Sequence, residues 1–104
     1  DNLKPYWTDQ AIRQMKEIYD FYKAFGKKTI QKRISPIKKQ VDRLTRFPIV
    51  GKVESYYQGT ESFRSLIEGD YKIIYLIRRE ERIYIVAIFD CRQDPSNLYT
   101  MLKL

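Results

Sequence analysis

The stretch YKIIYLIRREERIYIVAIFD, residues 71–90, constrains the fold more than any other part of the chain. It reads as two strands, Tyr71 to Arg78 and Ile83 to Asp90, around the charged turn Arg79-Glu80-Glu81-Arg82. A strand with one wet face alternates apolar and polar residues. Here both phases are apolar: Ile73, Tyr75 and Ile77 point one way, Ile74 and Leu76 the other. Such a hairpin must be covered on both faces or lie centrally in a strongly curved sheet. It then ends abruptly in the polar cluster Cys91-Arg92-Gln93-Asp94-Pro95.

The upstream half supplies the cover. Leu3 to Trp7 has strand character. Thr8 or Asp9 offers an oxygen to cap a helix, along which Ala11, Ile12, Met15, Ile18, Tyr19, Tyr22 and Phe25 form one apolar stripe. Gly26 is a natural stop. A second helical stripe follows in Ile30, Ile34, Ile37, Val41 and Leu44, and Ser35-Pro36 predicts a kink or restart within it. RFPIVGK, residues 46–52, reads as a loop. A further strand is expected at about Glu61 to Ile67, before the turn Glu68-Gly69-Asp70. After Pro95 the chain is expected to form a short helical turn or an extended tail. The order strand, helix, helix, strand, strand, strand predicts an α+β fold: an N-terminal strand and a two-helix hairpin packed on a small curved antiparallel sheet. At 104 residues the chain suits one domain, residues 1–104.

The residue inventory restricts chemistry. There is no histidine and one cysteine. Ser-His-Asp and Cys-His sites are excluded within the chain, an internal disulfide is impossible, and no metal site or cofactor is expected. Cys91 reads as a small apolar filler. The 20 Lys and Arg against 13 acids leave a net charge of +7, which suits an acidic partner: nucleic acid, ribosome or acidic protein. No apolar run is long enough for a membrane span, and a cytoplasmic location is expected. The sequence opens at Asp1 without methionine, which leaves the native N-terminus open.

Three cations interrupt the apolar strands: Arg64, Lys72 and Arg92. If Ile67 faces Tyr71 across the first turn, Arg64 is a diagonal neighbour of Lys72, at about 7–8 Å. The face of Arg92 depends on register. Pairing Arg78 with Ile83 puts Lys72 opposite Phe89 and Arg92 on the other face; pairing Arg78 with Arg82 puts Arg92 on the face of Lys72. Each cation also has a structural reading: Arg64 paired with Glu61 or Glu68, Lys72 snorkelling at a strand end, Arg92 bound to tail carbonyls or paired with Asp90 or Asp94. As a nuclease, the chain would use Lys72 and Arg92 for charge, and Tyr99 or a carboxylate such as Asp94 as base.

FRSLIEGDYKIIYLI and IYIVAIFDCRQDP, preceded by YWTDQAIRQMKEIYDFY and LTRFPIVGK, together resemble the RelE/ParE superfamily of bacterial toxins. These are the toxins of type II toxin–antitoxin, or plasmid stabilisation, systems. The resemblance implies a curved antiparallel sheet with an N-terminal helical hairpin, and neutralisation by an antitoxin that wraps the toxin. RelE-like members cut mRNA in the ribosome with basic residues on the sheet and often a C-terminal tyrosine. That implies Lys72, Arg92 and Tyr99 as catalytic residues, and Arg64, Lys72 and Arg92 as binding residues. ParE-like members poison DNA gyrase. The histidine that many RNA-cutting members carry at the end of the last strand is replaced by Asp90-Cys91, and the long hairpin and FP-x-x-G loop look closer to the ParE branch. The expectation is therefore a growth-inhibiting toxin that poisons gyrase, with ribosome-dependent mRNA cleavage as the alternative. An acidic cognate antitoxin is expected beside Tyr19, Tyr22 or Leu98.

Overall fold

A computed structural model describes residues 3–54, 62–78 and 82–102, with Tyr99 described by its backbone alone. The elements run β1 (Lys4–Trp7), α1 (Asp9–Tyr22), a 3-10 turn (Lys23–Phe25), α2 (Lys27–Arg46), a second 3-10 turn (Pro48–Val50), β2 (Lys52–Val53), β3 (Arg64–Glu68), β4 (Tyr71–Arg78), β5 (Arg82–Asp90) and α3 (Ser96–Met101). The strands form one sheet in the order β1-β5-β4-β3-β2. The α+β class is as expected. The sheet is antiparallel except at one edge, where β1 pairs with β5 in parallel. Expected strand residue Glu61 and turn residues Arg79, Glu80 and Glu81 lie outside the described residues.

The double-sided strands are covered on both faces. Tyr71, Ile73, Tyr75, Ile83, Ile85 and Ile88 pack under the two helices, against Ala11, Ile18, Ile34, Ile37, Val41 and Leu44. Ile74, Leu76, Val86, Ala87 and Phe89 form a second cluster on the other face, with Phe63, Leu98 and Leu102. The tail is therefore helical because Leu98 and Leu102 have sheet to cover.

Both turns of the register argument resolve differently from the expectation. The first hairpin has a two-residue loop, Gly69-Asp70, with Gly69 at φ 59°. A positive φ suits glycine and a tight hairpin. Glu68 therefore faces Tyr71, Ile67 faces Lys72, and Arg64 faces Tyr75. This one-residue slip moves Arg64 to the helix face, away from Lys72. In the second hairpin both candidate registers occur. Arg78 pairs with Arg82 at the turn, yet Lys72 pairs with Phe89 at the far end, because the ladder shifts between Ile74–Ala87 and Tyr75–Ile85. Val86 is the extra residue of a bulge.

α1 starts at Thr8, whose side chain accepts from the Ala11 N–H. The restart expected in α2 does not occur: one helix, Lys27–Arg46, runs through Pro36. Proline has no N–H for the Lys32 carbonyl, but buried Ile34 and Ile37 hold the chain on either side. Pro36→Ala is expected to stabilise the protein by about 2 kcal/mol, the interior-helix cost of proline less its effect on the unfolded chain. A urea titration checks this; a lowered midpoint would contradict it.

Candidate functional site

The polar cluster that ends the opening hairpin closes on itself. Arg92 grips Asp90 through two parallel bonds, Nε to Oδ1 and Nη2 to Oδ2, each 2.9 Å, and its backbone N–H also donates to Oδ1. Asp70 lies 3.8 Å from Nη1, and the guanidinium sits 6.0 Å from the Tyr71 ring centroid. The Cys91 N–H donates to the Asp70 carbonyl at 2.7 Å, which ties the end of β5 to the first turn. The hydrogen bond from Arg92 holds the Asp90 carboxyl below its ordinary range, against the opposing effect of burial. That lowered value means the pair stabilises the fold above the ordinary carboxylate pKa, and loses its effect as pH falls through the lowered one. Burial, helped by the Tyr22 hydroxyl, pushes the Tyr71 phenol well above its usual range, so it is no base at neutral pH.

Arg92 also borders a cleft of about 420 Å³ between α1, the end of β5 and α3. Ile18, Phe21, Ile88 and Met101 line its apolar part. Its polar wall has a structural origin. β1 stops at Trp7, so the outer edge of β5 beyond Ile85 has no strand partner. Side chains from α1 replace it: the Thr8 hydroxyl and Gln10 Nε2 each donate to the Val86 carbonyl at 2.9 Å, and Gln14 Oε1 accepts from the Ile88 N–H at 2.8 Å. These groups satisfy backbone that would otherwise be buried unpaired.

Lys72 stands on the opposite face of the sheet. Its Nζ lies 3.0 Å from Glu54 Oε1; the two side chains are 21% and 3% exposed. The Ser65 hydroxyl donates to the same Glu54 oxygen. Lys72 is thus the counter-ion of a buried carboxylate. Arg64 is engaged elsewhere again. Its Nη1 donates to the carbonyls of Gly51 at 2.8 Å and Ile49 at 3.3 Å. Beside it the buried Tyr75 hydroxyl donates to the Pro48 carbonyl at 2.7 Å and accepts from the Gly51 N–H at 2.8 Å. The FP-x-x-G loop is pinned to the sheet by these two side chains.

The three cations singled out in the sequence do not converge. Arg64 and Arg92 lie at separate places on the helix side, and Lys72 lies on the far side. Tyr99 sits on α3, and its side chain is outside the described residues. Of the three residues expected to face an antitoxin, Tyr19 is 46% exposed, whereas Tyr22 and Leu98 are core side chains of the two clusters. Their neighbours are more accessible: Phe21, beside Tyr22, is 62% exposed, and Met101, beside Leu98, lines the same cleft. Cys91, expected as a filler, is an exposed free thiol. Glu54, Gln10 and Gln14 carry structural roles that the sequence reading did not assign; a lone carboxylate after a glycine loop, and glutamines on a helix, give no pattern that marks them. No group of His, Cys, Asp and Glu suited to a metal ion occurs among the described residues. No helix among them is long and apolar enough to cross a membrane.

A family model described as ParE toxin of type II toxin-antitoxin system, parDE, matches residues 6–95. Among solved structures, the fold is similar to a chain of a chromosomal ParDE TA system from P. aeruginosa. The TM-score is 0.67 at 21% identity, over 85% of this chain and 95% of that one. No curated protein sequence matches the chain.

Proposed function

The chain belongs to the ParE toxin family of type II toxin–antitoxin systems, and on that premise we propose that it arrests growth by binding and poisoning DNA gyrase rather than by cutting RNA. The observation that carries this reading is the dispersal of its cations. Cleavage of a phosphodiester without histidine needs cationic groups and a proton acceptor aimed at one reacting centre. Lys72 neutralises Glu54, Arg92 grips Asp90, and Arg64 holds a loop. They lie at three separate places, Lys72 on one side of the sheet and Arg64 and Arg92 on the other, and are committed to partners of the chain itself. A binding poison needs no such convergence; it needs a stable surface.

The expected assay result is loss of supercoiling activity when purified gyrase meets the protein, with linear plasmid released on denaturation. Translating ribosomes given the same protein should leave mRNA intact. Ribosome-dependent cuts with unaffected gyrase would overturn the proposal in favour of the RelE-like alternative.

The partner follows from the same family. We place an acidic antitoxin segment in the cleft between α1 and α3, with an apolar side chain against Phe21 and Met101 and a carboxylate near Arg13 or Arg92. Phe21→Asp, exposed and therefore tolerated by the fold, is expected to weaken antitoxin binding at least about 10-fold, the scale of an anchor lost from an interface centre. Unchanged affinity by calorimetry would place the antitoxin elsewhere.

A further inference from the structure

The charge of this protein is segregated onto one element. α2 carries Lys27, Lys28, Lys32, Arg33, Lys38, Lys39, Arg43 and Arg46 against the single carboxylate Asp42. Eight cations less one carboxylate equals the whole chain's excess of +7, so the remainder is neutral in sum. All eight are exposed. A charge kept for solubility would be spread over the surface with both signs mixed.

Their positions are ordered. At about 100° per residue, Lys28, Lys32, Lys39, Arg43 and Arg46 fall within one narrow sector of the helix. That sector lies opposite the buried stripe of Ile34, Ile37, Val41 and Leu44. The line extends over 18 residues, or about 27 Å at 1.5 Å per residue. Asp42 bridges Arg46 at 3.4 Å. Among the described residues, Lys28, Lys32, Lys39 and Arg43 have no carboxylate within ion-pair distance. No aromatic or large apolar residue shares the sector. That composition does not suit a membrane surface, where an amphipathic helix buries an apolar face. It does not suit single-stranded nucleic acid, where bases stack on aromatic rings. An amphipathic protein segment would need apolar anchors along the row; exposed apolar side chains lie past its end, where Phe47, Ile49 and Val50 line a pocket with Arg43 and Arg46, and in the cleft at Phe21 and Met101. A row of five cations along one helix face, four of them without a carboxylate partner among the described residues, suits a polyanion that is itself a rod.

We infer that the outer face of α2 is a docking site for the phosphate backbone of duplex DNA, bound without regard to sequence. Lysines dominate the row, and lysine meets phosphate as a point charge. Duplex DNA presents one negative charge per about 1.7 Å of axis, and release of its counterions drives the association. The face is distinct from the antitoxin cleft, and the inference stands whether or not gyrase is the target. If it is, this surface would hold the toxin against the DNA at which the enzyme works.

The test uses the full chain, a fluorescein-labelled 24-base-pair duplex and anisotropy at several salt concentrations, with no gyrase present. Four phosphate contacts predict a slope of log K against log salt of about −3.6. Lys28→Gln/Lys32→Gln/Lys39→Gln should flatten the slope by about 2.7 and weaken binding at low salt at least about 100-fold. Lys4→Gln/Lys16→Gln/Lys52→Gln removes the same charge from other surfaces and should leave the slope unchanged. Circular dichroism melts confirm that both variants fold. Three outcomes would overturn the inference: no binding by the unaltered protein, equal losses in the two variants, or tighter binding of poly-glutamate of matched charge, which would assign the row to an acidic protein.

Discussion

Lys72→Met is expected to destabilise the protein by about 3–5 kcal/mol, the usual cost of removing one partner from a buried ion pair. Glu54 is the reason. Its side chain is 3% exposed, and it has Lys72 at 3.0 Å as its counter-ion and the Ser65 hydroxyl as a donor. Without the ammonium, a carboxylate remains in a nearly dry site, and must either stay charged there or take up a proton. Lys72→Met/Glu54→Gln removes both charges and keeps much of the volume, so most of the lost stability should return. Urea unfolding of the two single variants and the double measures the coupling directly. The outcome also bears on function. A folded, stable, inactive Lys72→Met protein would mark Lys72 as a group that acts on a substrate. A large loss restored by the second change marks it as part of the fold.

Gly51→Ala is expected to cost about 3 kcal/mol, and to lower the melting temperature by about 12–20 °C in a domain of this size. Gly51 has an ordinary backbone, at φ −73° and ψ 152°, so the cause is space. A Cβ there would collide with the Tyr75 hydroxyl, and would stand 2.7 Å from the Tyr75 ring and 2.8 Å from the Ser65 carbonyl oxygen. Tyr75 is completely buried and cannot swing away. Moving the loop instead breaks the bonds from Tyr75 to Pro48, from Gly51 to Tyr75, and from Arg64 to the Gly51 and Ile49 carbonyls. The glycine of the FP-x-x-G loop is thus explained by the approach of a tyrosine three elements away. A melt within about 2 °C of the unaltered protein would contradict this packing.

These two sites show where sequence reasoning succeeds and where it stops. Apolar residues on both phases of β4 and β5 announced a sheet covered twice, because side-chain direction in a strand has a fixed period of two. The helical stripes of α1 and α2 were legible for a similar reason, and Thr8 was readable as a cap. Register was not. A two-residue loop at Gly69-Asp70 and a loop one residue longer both suit Glu-Gly-Asp, and the choice moves Arg64 to the other face. The bulge at Val86 is equally silent, since valine there reads as one more core residue; it let both candidate registers occur in one ladder. Pro36 misled because a break is its usual local effect, whereas burial of Ile34 and Ile37 overrides it. Glu54 and Gln14 were invisible because their partners, Lys72 and the Ile88 backbone, are distant in sequence. The candidate site depended on these non-local pairings. The sequence therefore singled out three cations, yet could not tell that they stand apart.

That separation supports the central proposal, that the protein acts by binding its target and not by cutting RNA. It is tested most directly in cells, by inducing the protein and following mRNA 5′ ends and plasmid supercoiling in the same culture. Arg92→Gln, exposed and outside the core, is followed beside it. The account predicts intact mRNA with loss of negative supercoiling or DNA breaks, before growth stops. Rapid mRNA cuts that Arg92→Gln abolishes, with supercoiling unchanged, would contradict it.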